Sequence, residues 1–207
     1  KPITFYRQVL TLLEAAGNIT RERSLARIAA TNPELFIESG VEPLANYIID
    51  YSANFLEQCR TGMGAYTESK GPFFIRTAIA RYIDRRDGDN IAADPEQIFL
   101  TDGASDAAKR IMEILITGSQ DGVMIPIPQY PLYSATVKRC GGVQVNYYPE
   151  EDNDWALTTE ILENAYLKAK ADGINVKCIV VINPGNPTGA ILDKPSIDGV
   201  VNFAEQH

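Results

Sequence analysis

The stretch Ile179-Val180-Val181-Ile182-Asn183-Pro184-Gly185-Asn186-Pro187-Thr188-Gly189 decides the predicted fold. Its opening apolar run predicts a strand over about 178–182, buried on both faces of a sheet. A turn rich in Asn, Pro and Gly follows, and then a helical pattern from about Pro195. Asn186 is a candidate ligand-binding residue because ligands of open α/β sheets bind beyond the carboxyl ends of strands. Taken alone, such a turn is more often only a strand end, and its Asn186–Pro187 bond is a candidate for the cis form.

Composition and charge restrict the classes of function. The chain has 207 residues, 45% of them hydrophobic, which suits one large domain or one domain with part of another. A net charge of −8 argues against nucleic acid or an anionic membrane as the partner. Cys59, Cys140 and Cys178 are widely spaced, as expected of reduced thiols in an intracellular protein. The single histidine is His207, so we expect neither a histidine-based triad nor a zinc site within this chain.

The chain is predicted to change character near residue 60. Residues 1–60 show only helical patterns, over about 4–16, 22–31 and 43–56, which predicts a helical N-terminal segment. A polar segment with three glycines follows at 61–71, and Pro72 then opens another helix that ends at Asp87-Gly88.

Beyond a single helical turn at 94–97, strand and helix patterns alternate. Strands are predicted over 98–101, 123–127, 143–148 and 178–182, and helices over 104–117, 131–139 and 158–172. This repeated order predicts an α/β fold with a mostly parallel sheet and helices on both faces.

The turn Thr101-Asp102-Gly103-Ala104-Ser105 is a candidate anion site. Small residues let a ligand approach the backbone, and the start of a helix offers unpaired N–H groups that suit a phosphate. The alternative is that Asp102 and Ser105 only cap the helix, and the segment alone slightly favours that alternative.

A second candidate is Tyr130, which lies between Pro128 and Pro131. The prolines restrict the backbone and could hold the ring as a flat wall for an aromatic ligand, although a core tyrosine is the commoner case. The turns at Ser105, Tyr130 and Asn186 all follow predicted strands, so we expect them at one edge of the sheet. Together they predict a pocket for a phosphorylated, planar, aromatic ligand that carries an oxygen substituent.

These turns, with Gly64-Ala65-Tyr66, resemble those of the fold-type I aminotransferases that depend on pyridoxal 5'-phosphate (PLP). The most specific stretches are 125–136 and 181–189, and the first of them resembles the branch of alanine and glutamate–glyoxylate aminotransferases. The similarity covers nearly the whole chain and is weakest over about 17–42. It implies that 1–60 belongs to the small domain and interdomain region, and 61–207 to part of the large PLP-binding domain.

The resemblance also implies roles for individual residues. Gly103, Ala104 and Ser105 would hold the cofactor phosphate, Tyr130 would stack on the pyridine ring, and Asn186 would hydrogen-bond the phenolic oxygen. Tyr66 would reach the cofactor of the neighbouring subunit in a homodimer, unless it is only a surface-loop tyrosine. The implied reaction moves an amino group between L-alanine and 2-oxoglutarate, with cytoplasm as the expected compartment and mitochondrion as the alternative.

No lysine of this chain, such as Lys70, Lys109 or Lys194, lies in a motif that matches the family's cofactor-bonding lysine. We expect that lysine beyond His207, together with the acid that pairs with the pyridine nitrogen and the arginine that receives substrate. The 207 residues alone are therefore predicted to be inactive. Two alternatives remain open, namely another fold-type I PLP enzyme such as a lyase, and a non-catalytic PLP-binding or interaction protein.

Overall fold

The computed structural model describes residues 51, 54–55, 57–58, 67–88 and 92–207. The chain divides into two compact units, the first ending at Leu100 and the second beginning at Thr101. The predicted helices over 4–16 and 22–31 and most of that over 43–56 lie outside the described residues, as does Tyr66. The described residues of the third stretch are helical. The domain boundary predicted near residue 60 stays a prediction.

In the first unit, helix α1 spans Phe73–Asp87, as predicted from the proline before it and the glycine after it. Gly88 ends the helix at φ +78°, a left-handed conformation that glycine adopts without steric cost. The predicted single turn is a 3-10 helix over Pro95–Gln97, and the carboxylate of Asp94 accepts a hydrogen bond from the backbone N–H of Glu96 at 2.8 Å.

Arg76 of α1 is fully buried, and its guanidinium links three segments of this unit. It donates to the carbonyl oxygens of Gly71 at 2.9 Å and Pro95 at 2.6 Å, and it forms an ion pair with Glu68. Glu96 lies 3.5 Å away as a second carboxylate partner. A buried cation requires such pairing, because removing its water shell is costly.

The strand predicted over 98–101 is not present, which corrects that prediction. The backbone N–H of Leu100 donates to the carbonyl oxygen of Lys70 at 2.9 Å, but one such bond does not make a ladder. An apolar run extends into a strand only where a neighbouring strand offers a row of donors and acceptors.

The second unit alternates strands and helices, as predicted. Its elements are α2 (Ala104–Leu115), β1 (Asp121–Pro126), α3 (Leu132–Cys140), β2 (Val143–Tyr147), α4 (Thr159–Ala171), β3 (Asn175–Ile179) and α5 (Lys194–Gln206). A short 3-10 helix over Glu151–Asn153 lies between β2 and α4. The strands form a parallel sheet in the order β2-β1-β3, so the predicted α/β architecture is confirmed. Within the described part of the chain, no helix is both long enough and apolar enough to cross a membrane.

Helices cover both faces of this sheet. On one face, Val123 and Ile125 of β1 pack with Met112 of α2 and Val137 of α3. On the other face, Met124 packs with Leu162 of α4 and Phe203 of α5. Alternate residues of a strand point to opposite faces, so β1 contributes to both cores and is buried along its whole length.

The strand before Asn183 begins and ends earlier than predicted, at Asn175–Ile179. The N–H of Val180 still donates to the carbonyl of Met124 at 2.8 Å, but the side chain of Val181 is 38% exposed. The prediction of a strand buried on both faces is therefore wrong for this segment and describes β1 instead. The physical reason is position: β1 has a neighbouring strand on each side, whereas β3 has one among the described residues.

The amino end of β1 is held by Asp121, whose carboxylate is buried. Its Oδ2 accepts hydrogen bonds from the N–H and hydroxyl of Thr117 at 2.8 and 2.9 Å and from the N–H of Gly118 at 2.9 Å. Its Oδ1 accepts from Nδ2 of Asn175 in β3 at 3.1 Å. These donors hold the pKa of Asp121 well below its usual range, the N–H of Thr117 being the largest cause.

Candidate functional site

Residues 183–190, named here the Asn186 loop, connect the end of the β3 segment to the approach of α5. Two backbone hydrogen bonds close the loop, from the N–H of Gly185 to the carbonyl of Ala190 and from the N–H of Gly189 to the carbonyl of Gly185, each 2.8 Å long. Gly189 has φ +74°. The loop is thus folded back on itself, with Asn186 between the two glycines.

A side chain at Gly185 would collide with the side chain of Thr188. A Cβ atom built there would lie 2.4 Å from Oγ1 of Thr188, a separation that real Cβ contacts do not show. The Asn186–Pro187 peptide bond is cis, which confirms that prediction, and the Asn183–Pro184 bond is cis as well.

Asn186 itself is exposed and lines a cavity of about 40 Å³ beyond the carboxyl ends of the strands. Most of the wall is apolar and includes prolines from the ends of β1 and β2. The lining residues are Pro126, Pro128, Tyr147, Pro149, Trp155, Leu157, Val181, Ile182, Gly185, Asn186, Thr188, Ala190 and Leu192. The Asn186 side chain therefore supplies an amide at the border of an apolar hollow.

Tyr130 lies in the turn between β1 and α3, and its side chain is 48% exposed. This placement rules out the alternative of a core tyrosine. Pro131 precedes the first residue of α3 with φ −62°, and the Ile127–Pro128 bond before Tyr130 is cis. The ring is exposed in the turn that follows β1 at the carboxyl edge of the sheet, and its stacking on a planar ligand stays a prediction.

The turn before α2 has the features of an anion site. Gly103 precedes the helix with φ +88°, and a Cβ built there would meet nothing within 4 Å. No side chain caps α2, so the alternative in which Asp102 and Ser105 serve as its caps does not describe this structure. The first N–H groups of a helix have no partner within the helix, so those of Ala104 and Ser105 can donate to an external anion.

Helices α2 and α3 run side by side in the same direction. Near their carboxyl ends, Glu113 of α2 forms an ion pair with Arg139 of α3. Nearer their amino ends, Asp106 and Leu132 line a shared surface groove. Since α3 begins where β1 ends, the start of α2 lies toward the same edge of the sheet as the Tyr130 turn.

The four predicted site positions are therefore placed to different degrees. The cavity at Asn186 includes Pro128 from the Tyr130 turn, but Tyr130 and Ser105 are not among its lining residues. Ser105 lies at the start of α2 and Tyr130 just before α3, and because these helices run in the same direction, both residues lie toward the same edge of the sheet. Tyr66 lies outside the described residues.

Two lysines considered from the sequence have surface partners. Lys70 pairs with Glu96 at 3.0 Å, and Lys194 pairs with Asp198 at 2.6 Å within one turn of α5. Lys109 lines the groove between α2 and α3. None of these positions singles out a lysine for covalent chemistry.

Two aromatic residues that line the Asn186 cavity, Tyr147 and Trp155, were not singled out by sequence reasoning. Tyr147, at the end of β2, is 2% exposed, and burial raises the pKa of its hydroxyl above the ordinary value. Trp155 follows Asp154, and both have positive φ, at +60° and +48°. Aspartate is among the residues that adopt this conformation most often, but a tryptophan in it costs free energy, and nothing in the sequence at Trp155 indicates it.

Comparison with known proteins places these features in a family. The family model "Aminotransferase class I and II" matches residues 41–207. The chain is 38% identical to glutamate–glyoxylate aminotransferase 2 of Arabidopsis thaliana over 203 residues, covering 98% of this chain and 38% of that protein. It is 39% identical to a probable mitochondrial alanine aminotransferase of Dictyostelium discoideum over 204 residues, covering 98% and 35% respectively.

A solved structure agrees with these relatives. An aminotransferase from Escherichia coli matches with a TM-score of 0.60 and 25% identity, over 100% of this chain and 49% of that one. The chain thus spans between 35% and 38% of the length of the two curated relatives.

Proposed function

This chain belongs to the class I and II aminotransferase family, and from that premise we propose that the complete protein carrying it is a PLP-dependent aminotransferase. The reaction that we propose moves the amino group of L-alanine to 2-oxoglutarate and gives pyruvate and L-glutamate. The observation that carries the proposal is the Asn186 loop, which presents an exposed amide beside a hollow at the carboxyl edge of a parallel sheet. Ligands of α/β proteins bind at this edge.

The described residues fit PLP by the chemistry of their donors. The N–H groups of Ala104 and Ser105, with the Ser105 hydroxyl, would bind the phosphate, and Gly103 would leave room for it. The exposed ring of Tyr130 would stack on the pyridine, and the amide of Asn186 would donate to the phenolic oxygen. When bound, PLP supplies an electron-accepting ring that stabilises negative charge on the substrate carbon.

The chain's own residues would therefore bind and orient the cofactor. We assign none of its lysines as the group that bonds covalently to PLP, because none lies in a motif that matches the family's cofactor-bonding lysine, and Lys70 and Lys194 are held in surface ion pairs. We further propose a homodimer in which Tyr66 donates to the cofactor phosphate of the neighbouring subunit. We keep the division into a helical segment at 1–60 and a partial cofactor domain at 61–207 as part of this proposal.

A phosphate-selective experiment tests the site. In the complete protein, Ser105→Ala is expected to weaken PLP binding about tenfold or more, because a hydrogen bond to a charged group is lost. Binding of pyridoxal, which has no phosphate, should be unchanged, and Ser119→Ala at an exposed turn provides the matched control. Equal loss for PLP and pyridoxal, or no loss for either, contradicts the assignment.

Substrate preference is tested by steady-state transamination with alanine, aspartate and glutamate as donors, each with 2-oxoglutarate or glyoxylate as acceptor. Alanine with 2-oxoglutarate is expected to give the highest kcat/KM. The Arabidopsis relative supports glutamate with glyoxylate as the second candidate. Absence of transamination with every pair, in a protein that binds PLP, favours another PLP-dependent reaction or a non-catalytic role.

We propose the cytoplasm as the compartment and the mitochondrion as the alternative. The name of the Dictyostelium relative supports the alternative. Fractionation of cells that express the complete protein with a C-terminal tag, followed by protease protection, distinguishes the two compartments.

A further inference from the structure

A side chain at the start of the Asn186 loop fixes the chain beyond its end. Oδ1 of Asn183 accepts a hydrogen bond of 3.1 Å from the backbone N–H of Leu192, nine residues later. This bond links the residue that enters the loop to the segment that leaves it. It therefore joins the two ends of the loop on either side of Asn186.

Leu192, the hydrogen-bond donor to Asn183, is itself held in place by the rest of the fold. Its side chain packs against the core that contains Met124, Leu162 and Phe203. The next residue, Asp193, precedes α5, and its Oδ1 accepts from the N–H of Ser196 at 2.9 Å. Asn183 is thus bonded to a point that is held both by the core and by the start of a helix.

The loop has few other means of holding its shape. Pro184 and Pro187 have no N–H, so neither can donate a backbone hydrogen bond. The remaining internal bonds join Gly185 to Ala190 and Gly189 to Gly185, and Oγ1 of Thr188 accepts from the N–H of Ala190 at 3.3 Å. These bonds shape the tip of the loop, whereas the Asn183 bond attaches the loop to the fold.

We propose that Asn183 is a positioning residue that holds the Asn186 loop in the orientation from which Asn186 reaches the phenolic oxygen of PLP, an inference that rests on the proposed function. Asn183 acts through Asn186 and does not itself contact the cofactor. The functional atom is the side-chain amide oxygen Oδ1 of Asn183, because the hydrogen bond from Leu192 needs only an acceptor.

The test uses the complete protein and two readouts besides activity. The first is the dissociation constant of PLP, and the second is the pH midpoint of the visible absorbance of the bound cofactor. The variants are Asn183→Ala, Asn183→Asp, Asn186→Ala and the double alanine variant. Asn164→Ala, at an exposed position of α4, is the matched control.

Asn183→Ala is expected to raise the dissociation constant of PLP about three- to tenfold, the range for one lost neutral hydrogen bond. It should move the absorbance midpoint in the same direction as Asn186→Ala, but by less. In the Asn186→Ala background it should have no further effect on the midpoint. Asn183→Asp, which keeps an acceptor for Leu192, should recover most of the affinity, and Asn164→Ala should match wild type.

Three results would overturn the proposal. One is an Asn183→Ala variant with unchanged affinity and midpoint. Another is an equal shift of the midpoint in the presence and absence of Asn186, since the two residues would then act independently. The third is an Asn186→Ala variant that changes neither readout, which removes the proposed role of Asn186 and this inference with it. The first two results leave the proposed function intact.

Discussion

The hydroxyl of Tyr147 donates a hydrogen bond of 2.7 Å to the carbonyl oxygen of Val180. Tyr147 ends β2, whereas Val180 follows β3, and the central strand β1 lies between them. The bond therefore spans the sheet at its carboxyl end. It fixes the segment that enters the Asn186 loop just after the regular ladder of β3 has ended.

Tyr147→Phe is expected to destabilise the protein by about 1–2 kcal/mol, because the phenyl ring fits the same space but leaves the Val180 carbonyl without its donor. The free energy of unfolding in urea provides the measurement. Tyr148→Phe is the matched control, since the neighbouring ring is 59% exposed. Equal effects of the two substitutions would show that the Tyr147 bond contributes nothing specific.

Asp121 should make stability depend on pH. Its pKa is lowered in the folded state, so its contribution to stability is complete above the unfolded value of about 3.9 and is lost as the pH falls below that value. Asp121→Asn should lower the melting temperature at pH 7 and flatten the decline of melting temperature between about pH 4 and pH 2. Thermal unfolding across that range measures both effects.

The control for Asp121 is Asp152→Asn, a change at an exposed carboxylate in the 3-10 helix before α4. This variant should keep the melting temperature and acid sensitivity of wild type. An Asp121→Asn variant that is as stable as wild type at pH 7 and equally sensitive to acid would contradict the assigned role of the carboxylate.

The fold class followed from sequence because periodicity is local. The alternation of apolar runs and helical patterns between β1 and α5 predicted each of these elements to within a few residues. Burial is different, because it depends on how many neighbours an element acquires. The run around Val181 is as apolar as a central strand, yet β1 occupies the central position and Val181 is partly exposed. The same limit explains the missing strand at 98–101. The apolar run there predicted a strand, but the run cannot indicate whether a neighbouring strand is available to pair with it.

Sequence reasoning recognises a candidate site where one short motif carries it, and it misses contacts between residues that are distant along the chain. The Asn186 turn, the Tyr130 turn and the start of α2 were each recognisable locally. The bond between Tyr147 and Val180 joins residues 33 positions apart, and no pattern near either residue indicates it. Likewise, the burial of Arg76 depends on acceptors supplied by separate segments, and no pattern near Arg76 indicates it.

Tyr130→Ala should weaken PLP about two- to twelvefold in the complete protein, the range for loss of one stacked aromatic pair. The free energy of unfolding without PLP should stay nearly unchanged, because the side chain is 48% exposed. Fluorescence titration with PLP and urea unfolding give the two quantities. Tyr82→Ala on α1, where the ring is 58% exposed, is the control and should alter neither. A large loss of stability in Tyr130→Ala would instead assign the ring a role in packing.

Gly185→Ala should disturb the Asn186 loop, because the new Cβ would lie 2.4 Å from Oγ1 of Thr188. Either the Thr188 side chain rotates and gives up its hydrogen bond from the N–H of Ala190, or the loop itself moves. Overpacking of this kind costs about 1–3 kcal/mol. We therefore expect Gly185→Ala to bind PLP more weakly and to melt at a lower temperature.

Gly118→Ala is the matched control, because a Cβ there would lie 3.9 Å from Oδ2 of Asp121, an ordinary contact distance, and the N–H that donates to Asp121 is kept. Combining Gly185→Ala with Thr188→Ala removes the atom that causes the clash and should recover part of the PLP affinity. If the double variant binds PLP no better than Gly185→Ala, the loss does not arise from the contact with Thr188, and the close approach of these two residues does not control the shape of the loop.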